Sequence, residues 1–384
     1  MRIGVIVSKG FEKAAVRQIH EILEIKKVNV HDTIVFFDSK EWEDIYRFVY
    51  INQAASRVLY IIGDFDYEDD EDFLEKISGK INSGDGLLDL LISKNADFRS
   101  SVDIDIQTDV SYLESEIGGI LIERAKSRNC ELKVNLKNPT MNLYVHIHNR
   151  HAAVGIDLSG DLSKRDYKLF NNAVSLKGPT AFGLLMLAGY EPKDSYVNPC
   201  CYSGTIEIEA ALYCRGMSHR FYNKNFPFMK LSDLAFDTDS SYWDSFFKKI
   251  DSKISKKSFD ITGSDKLLSS ITAASKNAKI AGIIDTINFR RIDLDWMDIK
   301  YEEESVDKII SFIPGSSKHA DLSKEFKELF YQAEYVLKES GSMVVMCLSK
   351  DLLIAQSAEF MDLEKESIVH SGAQEMHILH FKKK

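Results

Sequence analysis

One short segment constrains this chain more than any other. Asn198-Pro199-Cys200-Cys201-Tyr202-Ser203-Gly204-Thr205, followed by Ile206-Glu207-Ile208-Glu209-Ala210-Ala211, reads as a strand end, a turn of small residues and a helix start. Such a corner belongs to an open α/β sheet, with the helix N-terminus facing a phosphate or cofactor. From about Tyr167 to Lys384 the chain alternates strand and helix patterns, as a doubly wound sheet requires.

At 384 residues the chain exceeds one ordinary core, and two or three domains are expected. Its 44% hydrophobic and 28% charged residues suit a soluble globular protein, and no apolar run reaches the roughly 18 residues of a membrane span. Five cysteines, two of them adjacent at Cys200 and Cys201, read as reduced cytoplasmic thiols.

The net charge of −10 argues mildly against nucleic acid, but charge is segregated. Asp64 to Glu75 is almost solid acid and reads as a loop. Arg124 to Lys177 carries ten basic side chains against four acids, a local excess of about +6. A basic zone in an acidic protein is the footprint of phosphate binding, or an ordinary solvated face.

Before Tyr167 the elements are short. Strands are expected at Ile3–Val7, Thr33–Phe37 and Arg57–Ile62, with helices at Glu12–Ile25 and Glu41–Val49. Helices then follow at Asp72–Asn82, Leu87–Ser93 and Tyr112–Ser127, the last capped near Ser111. Further strands are read at Phe98–Asp105, Lys133–Leu136, Leu143–His148 and Ala152–Leu158. His146, His148 and His151 lie on or beside one strand without an acid or cysteine set nearby, so they read as ordinary strand histidines and no metal is expected.

The Asn198–Ala211 segment resembles the first S-adenosylmethionine (SAM) motif of RNA methyltransferases, usually Asp-Pro-x-Cys-Gly-Ser-Gly-Thr. It departs at Asn198, where an acid is usual, and at Tyr202, where glycine is usual. Phe98-Arg99, Glu116-Ile117-Gly118-Gly119, Val134-Asn135-Leu136-Lys137-Asn138-Pro139 and Tyr144-Val145-His146-Ile147 resemble a THUMP domain. Gly155-Ile156-Asp157-Leu158-Ser159-Gly160 and Leu162-Ser163-Lys164-Arg165-Asp166-Tyr167 resemble the strands that follow it in THUMP-containing RNA methyltransferases. The likeness covers about residues 1 to 350. It implies three parts: a ferredoxin-like unit over 1–64, a THUMP RNA-binding domain over 65–160 and a Rossmann-like methyltransferase domain over 170–384.

The resemblance also implies site residues. Asn198, Ser203, Gly204 and Thr205 would approach the donor's methionine part, Asp265 its ribose hydroxyls and Asp293 its adenine amine. Asn277 stands in a family-like Ala-x-x-Asn-Ala setting. The catalytic turn, usually Asn/Asp-Pro-Pro-aromatic-Gly, falls on Ser311-Phe312-Ile313-Pro314-Gly315. Phe312 occupies the place of the polar acceptor, and Ser311 would serve only after a one-residue slip in register. Arg99, Lys137, Arg165 and Lys168 would meet RNA phosphates.

Two functions fit this pattern. One is a SAM-dependent methyltransferase acting on the exocyclic amine of guanine in tRNA or rRNA. The other is a catalytically silent RNA-binding protein on the same scaffold. They differ at the donor pocket and at Phe312.

Overall fold

Alternating apolar residues build the first seven strands of the chain. The computed structural model describes residues 1–83, 86–105, 108–171, 175–314, 319–372 and 374–384, without the side chains of 319–322. The strands are β1 (Arg2–Ile6), β2 (Val28–His31), β3 (Ile34–Asp38), β4 (Arg57–Asp66), β5 (Phe98–Ile104), β6 (Met141–His148) and β7 (His151–Asp157). They form one sheet in the order β2-β3-β1-β4-β7-β6-β5. All pairs are antiparallel except β5–β6. The long strand β4 is the seam: one edge pairs with β1 and the other with β7.

Several local expectations need correction. The acidic run is mostly not a loop, because β4 continues to Asp66 and a helix begins at Asp70. Asp70, Glu71 and Asp72 then sit in the first turn of that helix, where its dipole favours negative charge. The segment 133–136 is not a strand. Only Val134 bridges to Phe98, and the chain then turns as Asn135 caps the Asn138 N–H and reaches Asp97. Val134 and Leu136 are left exposed. The helix Val110–Ser127 is capped by Asp109, which accepts from the Tyr112 N–H, and not by Ser111. The sequence reading missed β2, a four-residue edge strand with little apolar content.

The second sheet uses β8 (Tyr196–Asn198), β9 (Ile261–Asp265), β10 (Asn288–Arg291), β11 (Val306–Ile313), β12 (Leu337–Cys347), β13 (Met361–Ser371) and β14 (Gln374–Lys383). Its order is β10-β9-β8-β11-β12-β14-β13. The first five are parallel, β14 runs antiparallel to β12, and β13 pairs antiparallel with β14. This is a Rossmann-like sheet. The strand order reverses between β8 and β11, and ligands of open α/β sheets bind outside the carboxyl ends at such a point.

A continuous core joins the two sheets. Tyr46, on the helix Trp42–Ile51, stacks on Phe228 at 4.7 Å and meets Trp243 edge-on. Its hydroxyl bonds Ser232 at 2.5 Å. Among the described residues no helix is long and apolar enough to cross a membrane.

Candidate active site

The turn after β8 is held from three sides. The Asn198 carboxamide oxygen accepts from the Cys200 N–H at 3.0 Å, and the Cys201 N–H donates to the Ser264 carbonyl at 2.8 Å. The Gly204 N–H closes onto the Cys201 carbonyl at 2.8 Å. Gly204 has φ +77°, and a Cβ there would come within 2.8 Å of Ala274, so only glycine fits. Tyr202 also has a left-handed φ of +48°, a strained position for a bulky residue by about 1–2 kcal/mol. The helix Thr205–Arg215 starts at this turn.

Asp265 ends β9 and anchors the corner. Its carboxylate accepts from the Tyr202 N–H at 3.2 Å and the Leu267 N–H at 2.8 Å. Burial raises its pKa despite these bonds. It lines a cavity of about 240 Å³ whose other walls include Leu267, Ile292, Leu294, Ile313 and Phe326. Pro314 lines the same cavity. Tyr202 forms part of the wall, and burial, then Cys200 and the carboxyls of Asp265 and Glu325, push its phenol pKa up.

A second, much smaller void of about 10 Å³ shares Cys200 and Tyr202 with the first. Ser203, Thr205, Leu176 and Phe312 surround it. The Ser203 hydroxyl bonds Ser175 at 3.2 Å, and the Thr205 hydroxyl has no hydrogen-bond partner among the described residues.

The expected site residues therefore divide. Asn198, Ser203, Gly204, Thr205 and Asp265 converge on the corner. Asp293 is exposed, and it is its neighbours Ile292 and Leu294 that form the wall. Phe312 closes the small void. Ser311 does not replace it. β11 pairs with β12 in unbroken register from Lys308 to Ile313, so no slip occurs. Successive side chains of a strand point to opposite faces, which sends Ser311 away from Phe312. Ser311 is fully buried and its hydroxyl has no hydrogen-bond partner among the described residues. Gly315 lies outside the described residues.

The RNA-facing set also changes. Arg165 is in the core: its guanidinium bonds Glu209 at 2.7 Å and the Gln53 carbonyl at 2.8 Å. It cannot reach a phosphate. Lys168 is half-buried, donates to the Leu176 carbonyl at 2.5 Å, and has a pKa lowered by burial. Arg99 on β5 is half-buried, and Lys137 is exposed in the turn after Leu136. The linear charge excess overstated the surface, because Arg124 and Arg128 also pair with Asp89 and Arg150 with the Glu68 carbonyl. His146, His148 and His151 bond Asp103, Asp105 and Asp66.

Sequence reasoning missed one contributor and left a second without a role. Glu207, fully buried on the cofactor-side helix, faces Gly263. Burial raises its pKa to about 8, although the Asn198 and Tyr196 side chains beside it act in the other direction. An acid between Ile206 and Ile208 was the available signal. Asn277 was noticed but not its work. Its carboxamide clamps both polar backbone atoms of Phe170 and the Ser203 carbonyl, at 2.9 to 3.0 Å.

The profile of a family described as an RMKL-like methyltransferase domain matches residues 165–376, more than half of the chain. The chain belongs to this family. Over 230 residues it is 30% identical to the tRNA (guanine(6)-N2)-methyltransferase of Methanocaldococcus jannaschii, covering 58% of each. It is 24% identical over 303 residues to the ribosomal RNA large subunit methyltransferase K/L of Vibrio parahaemolyticus, covering 75% of this chain and 40% of that one. The chain thus spans about half the length of the curated relatives it matches. In fold it is similar to SMU.472, solved in complex with S-adenosylhomocysteine, at a TM-score of 0.80 and 16% identity, over 100% of this chain and 98% of that one.

Proposed function

We propose that this family member is a SAM-dependent RNA methyltransferase acting on the exocyclic amine of guanine in tRNA or rRNA. The observation that carries this reading is the Asp265 carboxylate, set at the carboxyl end of β9 against an apolar cavity beside the strand-order switch. Two acceptor oxygens there suit vicinal ribose hydroxyls. Leu267, Ile292, Leu294 and Ile313 offer apolar faces to a flat base. Ser203, Thr205 and the helix N-terminus offer donors to a carboxylate. Bound SAM would supply an electrophilic methyl group. These residues fit its nucleoside half; the void for its amino-acid tail is small.

The chain's own contribution to the reaction would be positioning and exclusion of water. Phe312 and Pro314 wall the reacting side, but Phe312 cannot accept the hydrogens of a guanine amine. Losing one oriented polar group of this kind costs about 10²-fold in rate, so slow turnover is expected. The names of the relatives favour an enzyme over a silent scaffold.

In this reading residues 1–64 form a ferredoxin-like unit, 65–160 a THUMP domain that holds structured RNA, and 170–384 the methyltransferase domain. The sheet shared by the first two would present the RNA as one body. Five free cysteines are in keeping with action in the cytoplasm.

Nucleoside mass spectrometry of tRNA and rRNA from a host lacking this gene is the test. One N2-methylguanosine should be missing, restored by the wild-type chain and not by Asp265→Ala. An unchanged modification profile would overturn the reading.

A further inference from the structure

The cofactor corner holds two voids, and the neighbours Cys200 and Tyr202 line both, Tyr202 with the larger side chain. The larger, about 240 Å³, contains the acid and apolar walls suited to an adenine nucleoside. The smaller, about 10 Å³, has room for one water at most. Yet the groups around the smaller void suit the charged tail of an amino acid. It lies at the start of an 11-residue helix, whose free N–H groups and dipole attract a carboxylate. Thr205 there is 4% exposed, and its hydroxyl has no hydrogen-bond partner among the described residues. A buried donor without a partner is uncommon and points to a missing ligand group. The polar reception is present, and the space is not.

Tyr202 stands in the wall common to the two voids. Its backbone sits at φ +48°, a conformation glycine adopts freely, and its N–H is tied to Asp265 at 3.2 Å. The backbone of the turn therefore keeps the path that a glycine would give it, with a large side chain added at the wall the two voids share.

We propose that Tyr202 partitions the donor site, so that the closed pocket takes an adenine nucleoside with a short 5′ substituent and a methionine-length tail enters only when the ring moves. This rests on the donor-site reading above and names the residue that sets its ligand selectivity. 5′-Methylthioadenosine, which carries the sulfur and methyl but no amino-acid tail, matches the closed form. SAM matches the open form.

Isothermal titration of the full chain with both compounds tests this, using the wild type, Tyr202→Gly and Tyr202→Asn. Glycine and asparagine both tolerate the left-handed backbone, so two variants guard against a folding effect in either. In the wild type, 5′-methylthioadenosine should bind at least tenfold more tightly than SAM. Both substitutions should tighten SAM at least tenfold and change 5′-methylthioadenosine less than threefold. Wild-type protein that binds SAM as tightly as the nucleoside overturns the partition, as do substitutions that shift both ligands equally. Absence of binding by either compound to all three proteins overturns the donor-site reading itself, and the partition with it.

Discussion

The Arg165 guanidinium and the Glu209 carboxylate meet at 2.7 Å with neither side chain exposed to solvent. Glu209 also accepts from the Tyr167 hydroxyl and the Gln53 carboxamide, each at 2.7 Å. Glu209 lies one turn beyond Thr205 on the helix that begins at the cofactor corner. One buried charge pair thus ties the N-terminal unit, the connecting segment and the cofactor helix together.

Removing one partner of such a pair leaves an uncompensated buried charge. Arg165→Met should cost about 3–5 kcal/mol, read as a lower urea midpoint. The double substitution Arg165→Met, Glu209→Met should recover much of that loss. A lone Arg165→Met that left stability unchanged and weakened RNA binding would return Arg165 to the RNA-facing set.

Glu207 gives a pH signature. Its pKa is about 8 in the folded chain, against an ordinary value of 4.5. Between those values the folded protein keeps a proton that the unfolded chain has released, so stability falls as pH rises through the window and levels off above it. Glu207→Gln should flatten that slope and stabilise the protein at pH 8 by on the order of 2–4 kcal/mol. Parallel pH–stability curves for the two proteins would show that Glu207 is ionised when folded.

RNA contact should run through Arg99 and Lys137, which keep solvent access. Each charge reversal, Arg99→Glu and Lys137→Glu, should weaken tRNA binding about tenfold at moderate salt. Each should also reduce the steepness of the salt dependence by about one counterion. Filter binding that depends neither on salt nor on these two charges would place the RNA elsewhere.

Asn277 should matter more than its distance in sequence from the corner suggests. Asn277→Ala would strip partners from both backbone atoms of Phe170 and from the Ser203 carbonyl. A loss of about 2–4 kcal/mol is expected in denaturant melts, with weaker SAM binding. Intact affinity would mean that the clamp is structural only.

The corner was legible in the sequence because its chemistry is local. Gly204 is required by backbone angle and space, and Asp265 follows its strand directly. The parallel sheet was legible from its period. What failed was charge and register. Arg165 sits among basic neighbours in sequence, but a carboxylate 44 residues away claims it. The acid run beginning at Asp64 looked like a loop because its apolar alternation is sparse, though β7 pairs with it as far as Asp66. Ser311 could be excluded only once β12 fixed the register of β11.

Methyl transfer from radiolabelled SAM by the purified chain is the most direct measurement. The substrates are tRNA and rRNA from a host lacking this protein, digested to nucleosides after reaction. Slow labelling of guanine at N2 is expected, abolished by Asp265→Ala and raised about 10²-fold when Tyr202→Gly is combined with Phe312→Asn. No label from the wild type or from the doubly substituted chain, or label on any other atom, would contradict a guanine-N2 methyltransferase.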